Sequence, residues 1–402
     1  MRRSTLGRYN RCSAPRGVLP MIDCAYLLDE ARRRTGLADF GDEWPLENCR
    51  EFLRVLQNDQ RLSAAGLEGA TMMVAQAFDN RLRHIELLKR NPEIFEERID
   101  VAAVIASLPR TGSTLLHRML AATPALTAPI WFETQNYAPF PGEERGHNTV
   151  RKQWAQAYLD QILAAMPELP SIHPLAVDAA DEEIPAMGLL FSSLQIEGTY
   201  FVPEFSNWLT RHSRKRVYPE LRSILQSWQW QEPSRAGLKW VLKTPGHLLA
   251  LDAVAETFPD ALIVMTHRDP VDILPSFASL TSQFYQATGN YDPREIGDFW
   301  LERLGTLLDT FLDMRATLGE GRFHDVRYED LLADPVSEGL QILERAQVSV
   351  PGAESAMRQW LAGNSRGQRP PHQYSVEEFG LTEDRIRERF SRYRERFIDS
   401  PQ

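Results

Sequence analysis

The chain has 402 residues, 43% of them hydrophobic, which is enough to bury a large core in one α/β domain or in two smaller ones. Its 55 acidic and 45 basic side chains give a formal net charge of −10, which argues against a general binder of nucleic acid or of anionic membranes. An anionic ligand therefore needs a local basic site, and no run approaches the roughly 20 apolar residues of a membrane-spanning helix.

The first 50 residues bear on processing and location. Residues 1–20 hold five arginines and no acid, but they lack the apolar centre of a targeting peptide, so we expect a disordered leader and a start at Met1 or Met21. The three cysteines of the chain all fall in this stretch, at Cys12, Cys24 and Cys49. Because they form no CxxC pair, they predict neither a disulfide framework nor a zinc site and favour a reducing, cytoplasmic compartment.

Helical patterns come first in the chain. Between residues 21 and 100, apolar residues recur at helical spacing, which predicts an N-terminal helical segment. Val101–Ala106 follows, a short apolar run that is typical of a strand buried on both faces. The turn Ser107–Thr114 and another helical pattern come directly after it, and this order of strand, turn and helix can bind an anion.

Helices and strands alternate in the rest of the chain. Residues 151–235 carry Trp, Leu and Phe at helical spacing and predict a helical insertion. Three further strand candidates are Leu238–Leu242, Ala261–Thr266 and Arg322–Arg327. A predicted helix, His247–Phe258, separates the first two of these. We therefore predict an α/β fold: a single P-loop-like domain over residues 101–402, whose central parallel sheet is flanked by helices.

The turn after the first strand has the composition of a phosphate site. Backbone N–H groups at such a turn converge on an anion, and the helix dipole adds positive charge. Gly112 permits close approach of the backbone, the neighbouring hydroxyls add donors, and Arg110 supplies a charged fork of donors. The candidate binding residues are Pro109, Arg110, Thr111, Gly112, Ser113, Thr114 and Leu115. The alternative is a helix cap that is merely rich in Thr and Ser.

This loop is not a Walker A motif. That motif requires Gly and Lys where this chain has Ser107 and Ser113. An ATP or GTP hydrolase is therefore disfavoured. A nucleotide-dependent kinase built on the same strand, loop and helix stays open as an alternative, although the loop lysine is missing and no magnesium-binding carboxylate is evident.

A second anion site is predicted after the strand Ala261–Thr266. Arg268 lies at the carboxyl end of that strand, and Ser276 follows about two helical turns later, so the pair can hold a phosphate outside the sheet. A surface ion pair of Arg268 with Asp269 or Asp272 is the alternative. Two separated anion sites imply a ligand with two anionic groups, and a nucleotide with a 3′-phosphate and a 5′-phosphosulfate meets that demand.

Several further motifs occur in a fixed order along the chain. They are NRLRHIELLKRNPEI (Asn80–Ile94), LKTPGHLLALDAV (Leu242–Val254), HRDPVDILPSF (His267–Phe277), VRYEDLLADP (Val326–Pro335) and HQYSVEEFGLTEDRIRERFSRYRERF (His372–Phe397). Together with the loop, they make the chain resemble the superfamily of sulfotransferases that use 3′-phosphoadenosine 5′-phosphosulfate (PAPS). The resemblance is closer to the bacterial-type branch with a PRTGST-like loop.

The resemblance implies roles for both anion sites. The loop would hold the 5′-phosphosulfate, and Arg268 with Ser276 would hold the 3′-phosphate. A late basic stretch with Arg366 and Arg369 would close over the nucleotide, unless it is only a solvated loop. Many members have Lys at the position of Arg110; because arginine does not release its proton usefully, we expect it to stabilise charge on the leaving group rather than act as an acid.

A base near the acceptor must take the proton of the attacking group. His247, just past a predicted strand at the same sheet end as both anion sites, is the first candidate, because imidazole titrates near neutral pH. The alternative for His247 is a helix cap. Lys243 is expected to bind a sulfuryl oxygen, and Glu133 is the second candidate base, with a surface carboxylate as its alternative.

Other features are expected to be structural. We interpret Asp181, Glu182 and Glu183 as a solvated helix start and predict no metal site. Tyr328, Glu329 and Asp330 are expected to pack and to cap a helix. The run Arg385–Arg396 predicts one amphipathic helix with solvated charges. Aromatic residues of the middle are expected in the core more than in an acceptor pocket; they are Phe191, Tyr200, Phe201, Phe205, Trp208, Trp228 and Trp230.

The functional hypothesis is therefore an enzyme. It is a sulfotransferase with PAPS as co-substrate and a hydroxyl or amine of a small-molecule, lipid or carbohydrate as acceptor, without nucleic acid, metal or membrane span. The alternatives are the kinase and a non-catalytic protein that binds adenosine bisphosphate. The acceptor and the oligomeric state have no readable signature in the sequence.

Overall fold

A five-stranded parallel sheet organises the structure, a computed structural model that describes residues 22–167, 175–212, 214–364 and 375–399. Its strands are β1 (Val101–Ile105), β2 (Leu126–Thr127), β3 (Lys239–Lys243), β4 (Leu262–His267) and β5 (Phe323–Arg327). Their spatial order is β2-β3-β1-β4-β5, and every neighbouring pair is parallel. The predicted α/β class and central parallel sheet are confirmed.

Four of these strands lie within one residue of their predicted bounds, and β2 was missed. A two-residue strand has no hydrophobic period, so the sequence offers no signal for it. The predicted helix His247–Phe258 is also wrong in detail: a 3₁₀ turn, Pro245–Leu249, precedes the helix Leu251–Thr257. Thr244 caps that turn by accepting from the backbone N–H of Gly246.

Apolar side chains alternate across the two faces of the sheet. Val104 lies in register with Leu242 and Ile263, and these three belong to clusters on one face. Val241 and Val264 belong to the cluster on the other face. Because successive residues of a strand point to opposite faces, a run such as VAAVI needs apolar cover on both sides, which the helices provide.

Three N-terminal helices pack on the first face. They are α1 (Cys24–Thr35), α2 (Trp44–Asn58) and α3 (Ala64–Arg90). Their apolar stripes meet Trp240 and Leu242 of the sheet in one cluster. The predicted N-terminal helical segment is thus present, within the described residues 22–100, and it packs against the sheet.

Helices α4 to α10 follow the first strand and fill the middle of the chain. They are α4 (Ser113–Ala121), α5 (Trp131–Gln135), α6 (Thr149–Ala165), α7 (Ile184–Gly188), α8 (Leu194–Thr199), α9 (Pro203–Arg211) and α10 (Val217–Gln231). Six of the seven aromatic residues expected in the core are buried or packed against it, among them Phe191 and Trp228 at 1% exposure. The helical character predicted for residues 151–235 is confirmed for its described part.

The remaining helices alternate with β4 and β5 and end the chain. They are α11 (Leu251–Thr257), α12 (Pro270–Thr288), α13 (Pro293–Leu318), α14 (Tyr328–Ala333), α15 (Pro335–Arg345), α16 (Ala353–Gly363), α17 (Glu383–Arg389) and α18 (Ser391–Phe397). The single helix predicted over Arg385–Arg396 is wrong, because the buried Phe390 separates α17 from α18. Among the described helices, none is both long and apolar enough to cross a membrane.

The contact between α13 and the C-terminal segment leaves no room for a side chain at Gly297. A Cβ there would lie 2.1 Å from the backbone oxygen of Phe379. We expect Gly297→Ala to lower the free energy of unfolding by about 1–3 kcal/mol, the usual cost of overpacking. Gly198→Ala is the matched control: its Cβ would meet Thr281 at an ordinary 3.8 Å, so urea unfolding should show equal or slightly higher stability. Equal stability losses in the two variants would contradict the close approach.

Candidate active site

Three neighbouring strand ends bring the predicted site residues to one edge of the sheet. Because β3, β1 and β4 are adjacent and parallel, their carboxyl ends point the same way. Lys243 ends β3, the loop that contains Arg110 follows β1, and Arg268 follows β4. Open parallel sheets bind ligands at this edge.

The loop after β1 has a strained backbone. Arg110 and Gly112 adopt positive φ angles of 67° and 81°, and Gly112 caps helix α4. A non-glycine residue at such a φ costs on the order of 1 kcal/mol and is most often found at functional sites. At Gly112 a Cβ would also lie 2.9 Å from the side chain of Leu331. Glycine is therefore required at position 112, where the loop enters α4.

Side chains of the loop divide between the interior and the sheet edge. The buried Thr111 donates its hydroxyl proton to the Leu108 carbonyl at 2.8 Å and accepts from Thr266 at 2.6 Å. Because that hydroxyl makes both of its hydrogen bonds within the protein, Thr111 would offer a ligand its backbone N–H. Ser113 is buried, whereas Pro109, Thr114 and Leu115 are partly exposed at the loop and the first turn of α4.

Arg110, Ser276 and Arg268 form one cluster. The Nε of Arg110 donates to the Ser276 hydroxyl at 3.2 Å, and Nη1 of Arg268 donates to the Arg110 carbonyl at 2.9 Å. The Arg268 guanidinium lies over the ring of Tyr328, 4.4 Å from its centroid, so Tyr328 packs as expected. Asp272 is 3.7 Å from the Nε of Arg268, too far for a hydrogen bond, and that buried Nε has no hydrogen-bond partner among the described residues. The Nε–H of Arg268 is thus available beside the loop as a hydrogen-bond donor.

Lys243 connects the loop to a buried carboxylate. Its Nζ donates to the Thr114 hydroxyl at 3.3 Å and forms a short ion pair with Glu182. The Lys243 side chain is 4% exposed and that of Glu182 is 11% exposed. A charged amine and a carboxylate therefore lie together, nearly dehydrated, at the first turn of α4.

His247 is held from both sides by buried groups. Its Nε2 is 2.6 Å from Glu183 and its Nδ1 is 3.0 Å from the hydroxyl of Tyr218. Since a carboxylate only accepts, Nε2 carries a proton, and in the neutral ring Nδ1 accepts from Tyr218. The imidazole is fully buried, so His247 is neither the cap considered above nor open to solvent. In this geometry it can transfer a proton only through one of these partners.

The interpretation of Asp181, Glu182 and Glu183 as a solvated helix start is wrong. All three are buried, at 5%, 8% and 0% exposure. The cause is pairing of the preceding segment with residues 129–132, which includes an antiparallel bridge between Ile130 and Ala180. Asp181 there pairs with Arg118 of α4 at 3.1 Å. The carboxylates are functional candidates that the sequence reading missed, because no local pattern reports a partner some 60 residues away.

The two glutamates differ in proton affinity. Burial raises the pKa of Glu182, and the nearby Lys243 only partly offsets it. Burial also raises the pKa of Glu183, but hydrogen bonds from His247 and from the Lys243 backbone outweigh it, so that pKa lies below its usual range. A buried carboxylate with a raised pKa suits proton transfer, whereas one with a lowered pKa suits the orientation of a histidine.

Glu133 lies in a different environment. Its carboxylate accepts two hydrogen bonds from Arg235, at 2.8 and 3.2 Å, and one from the backbone N–H of Ile130 at 2.9 Å. Both partners of the ion pair are buried, so the surface alternative for Glu133 is wrong. No described hydrogen bond joins Glu133 to the cluster at the strand ends. The other two candidates, Arg366 and Arg369, lie outside the described residues.

Comparisons with known proteins agree on one family. A family model described as "Sulfotransferase family" matches residues 103–352, which include Arg110, Lys243 and Arg268. Omega-hydroxy-beta-dihydromenaquinone-9 sulfotransferase of Mycobacterium bovis is 25% identical over 306 residues, or 71% of this chain and 72% of that protein. The Mycobacterium tuberculosis protein of the same name matches equally well.

Two solved structures resemble the whole fold. Sulfotransferase STF1 of Mycobacterium tuberculosis matches with a TM-score of 0.80 and 28% identity, over 92% of this chain and 99% of that chain. Sulfotransferase STF9 of Mycobacterium avium matches with a TM-score of 0.83 and 23% identity, over 94% and 97% respectively. The second likeness bears on the fold alone. Both matches cover more of the chain than residues 103–352, the segment matched by the family model.

The buried pair with Arg235 predicts that Glu133 supports the fold. We expect Glu133→Gln to lower the free energy of unfolding by about 3 kcal/mol, because it leaves the Arg235 charge buried without its partner. The turnover of the folded protein should stay within about threefold of wild type. Asp39→Asn, which removes an exposed partner of Lys89, is the control and should cost less than about 1 kcal/mol. Unchanged stability with a large loss of turnover in Glu133→Gln would instead make Glu133 the base.

Proposed function

The chain belongs to the sulfotransferase family, and on that premise we propose that it transfers a sulfuryl group from PAPS to the hydroxyl of an apolar small molecule. The observation that carries the proposal is the contact between the two anion sites: Arg110 of the loop donates to Ser276, and Arg268 donates to the Arg110 carbonyl. Two adjoining basic groups at neighbouring strand ends suit one ligand with two anionic groups.

The donor would span these sites. The loop and the start of α4 offer N–H groups and a helix dipole to the 5′-phosphosulfate, and Lys243 lies at the same turn of α4. Arg268, whose buried Nε lies 3.7 Å from Asp272 and has no hydrogen-bond partner among the described residues, and Ser276 would take the 3′-phosphate. Arg110 would lie between both groups, which fits electrostatic stabilisation of the leaving nucleotide.

The reaction then needs two contributions from the protein, stabilisation of negative charge and removal of a proton. The acceptor oxygen attacks sulfur and forms the new S–O bond, while the bond from sulfur to the phosphate oxygen breaks and its electron pair leaves with adenosine 3′,5′-bisphosphate. Arg110 and Lys243 would offset the negative charge on the sulfuryl and leaving oxygens. A base takes the proton of the acceptor hydroxyl.

Two groups compete for the role of base. Glu182 lies against Lys243, its side chain retains 11% exposure, and burial raises its pKa, so it combines access with proton affinity. His247, the first candidate from the sequence, is fully buried and held by Glu183 and Tyr218. We therefore propose Glu182 as the base and keep His247 as the alternative.

The proposed acceptor class rests on a relative. The mycobacterial proteins that match over 71% of this chain are named for a substrate with an omega-hydroxyl group, omega-hydroxy-beta-dihydromenaquinone-9. A hydroxyl on an apolar molecule is therefore the first class to screen, ahead of amines and carbohydrates. A kinase and a non-catalytic adenosine bisphosphate binder remain the rivals, and the donor experiment separates them.

The donor proposal is tested by binding of adenosine 3′,5′-bisphosphate and of ADP. Wild type should prefer the bisphosphate, and at 100 times the dissociation constant the ligand should add about 2.7 kcal/mol to stability. Arg268→Ala should weaken bisphosphate binding by about 10- to 100-fold, as expected for hydrogen bonds to a charged group, and leave ADP binding nearly unchanged. Isothermal titration calorimetry measures both.

Arg322→Ala is the matched control for that experiment. Arg322 precedes β5 at the opposite edge of the sheet, where it donates to the Pro259 carbonyl, so both affinities should stay at wild-type values. Equal binding of ADP and the bisphosphate by wild type would favour the kinase. Tight bisphosphate binding without sulfation of any alcohol, amine or carbohydrate acceptor would favour the non-catalytic binder.

The base is tested by Glu182→Gln and His247→Gln in a sulfation assay with an alcohol that wild type uses. Glu182→Gln should lower kcat by about 10²- to 10⁴-fold while the bisphosphate affinity stays the same. Because the base acts as the carboxylate and burial raises its pKa, the wild-type rate should fall with decreasing pH through a pKa above the usual value of about 4.3. This acidic limb should vanish in Glu182→Gln.

Glu220→Gln is the control for that substitution. Glu220 is also a largely buried carboxylate, with an 11% exposed side chain, whose pKa burial raises, and it pairs with Arg81 away from the strand ends. Its loss should lower stability and leave kcat within about threefold of wild type. If His247→Gln abolishes turnover while Glu182→Gln keeps it, the histidine is the base.

A further inference from the structure

The C-terminal helix α18 contacts the turn that carries Arg268. Tyr393 of this helix lies with its hydroxyl 2.9 Å from Nδ1 of His267, the last residue of β4. The Tyr393 side chain is buried, so its hydroxyl links the helix to the residue that directly precedes Arg268.

His267 is itself held on its other edge and on one face. Its Nε2 is 2.8 Å from Asp325, which also accepts two hydrogen bonds from Arg315 at 2.6 and 2.7 Å. Because the carboxylate only accepts, Nε2 donates and the neutral ring leaves Nδ1 to accept from Tyr393. The imidazole stacks on Phe397 at a centroid distance of 4.2 Å. The ring is therefore a rigid link between α18 and the strand end.

The next residue of α18 holds the other side of the turn. Arg394 forms a short ion pair with Asp269 and donates to Asp399 at 2.8 Å. Its side chain is only 8% exposed, so the expectation of solvated charges is wrong for this arginine. Asp269 is the N-cap of α12, where it accepts from the Val271 N–H, and α12 carries Ser276. Arg394 thus fixes the start of the helix that positions Ser276.

We propose that Tyr393 and Arg394 are positioning residues for recognition of the nucleotide 3′-phosphate. This role rests on the proposed function, in which Arg268 and Ser276 bind that phosphate. The two residues of α18 bind His267 and Asp269, which flank Arg268 in the chain, and both of these contacts are made within the protein. They act on the phosphate through the backbone on either side of Arg268.

The proposal predicts a loss of ligand selectivity rather than of stability alone. Tyr393→Phe keeps the ring and removes the hydroxyl. We expect it to weaken binding of adenosine 3′,5′-bisphosphate by about three- to tenfold, the effect of one buried hydrogen bond, and binding of AMP by less than about twofold. Arg394→Gln removes the ion pair with Asp269 in the same turn. It should likewise reduce the affinity for the bisphosphate relative to the affinity for AMP. Calorimetry gives both affinities, and melting curves identify the folded variants.

Tyr285→Phe is the matched control. Its buried hydroxyl donates to the backbone oxygen of Glu197, away from the turn. The variant should therefore lose about as much stability as Tyr393→Phe and keep the wild-type ratio of bisphosphate affinity to AMP affinity. If wild type prefers the bisphosphate and both α18 variants keep that preference unchanged, the positioning role is overturned while the proposed 3′-phosphate site stands. If wild type binds AMP and the bisphosphate equally, the site itself fails, and the role fails with it.

Discussion

The parallel direction of the five strands is the constraint on which the rest of the structure depends. It places the carboxyl ends of β3, β1 and β4 at one edge, so that three segments far apart in the chain deliver Lys243, the loop with Arg110, and Arg268 to one place. Parallel strands require crossover connections, and the helices in these connections cover the sheet together with the N-terminal helices α1 to α3. The apolar alternation that buries the sheet and the polar residues at its edge are thus consequences of one topology.

Charge at this edge is balanced within a dehydrated environment. Lys243 pairs with Glu182, and His247 is bound to Glu183, all of them largely or fully buried. A lone buried charge is costly, whereas a buried pair with further hydrogen bonds is tolerable. The protein thereby holds the Lys243 amine and a carboxylate of raised pKa side by side, although its net charge of −10 repels anions overall. The local arrangement, and not the total charge, would attract the nucleotide.

The C-terminal helix α18 supports the turn that carries Arg268. The Arg268 side chain makes one hydrogen bond, to the Arg110 carbonyl; the ring of Tyr328 lies beneath its guanidinium and Asp272 lies 3.7 Å from its Nε. The residues on both sides of Arg268 are His267 and Asp269. Tyr393 and Arg394 of α18 bind them. Binding geometry at such a site depends on the groups that support the contacting residue as much as on the residue itself.

The sequence by itself determined the elements that local pattern and residue chemistry encode. Short strand-like runs located β1, β3, β4 and β5 to within a residue, and the Gly112 loop, Lys243 and Arg268 were identifiable because each lies at or just after the end of a predicted strand. Only the tertiary structure decided which charges are buried. Glu182 meets Lys243 across 61 positions and Tyr393 meets His267 across 126, so no periodic pattern could report either pair. The acidic triplet and the arginine-rich end of the chain look solvated in sequence, because burial of a charge depends on a partner that only packing brings near.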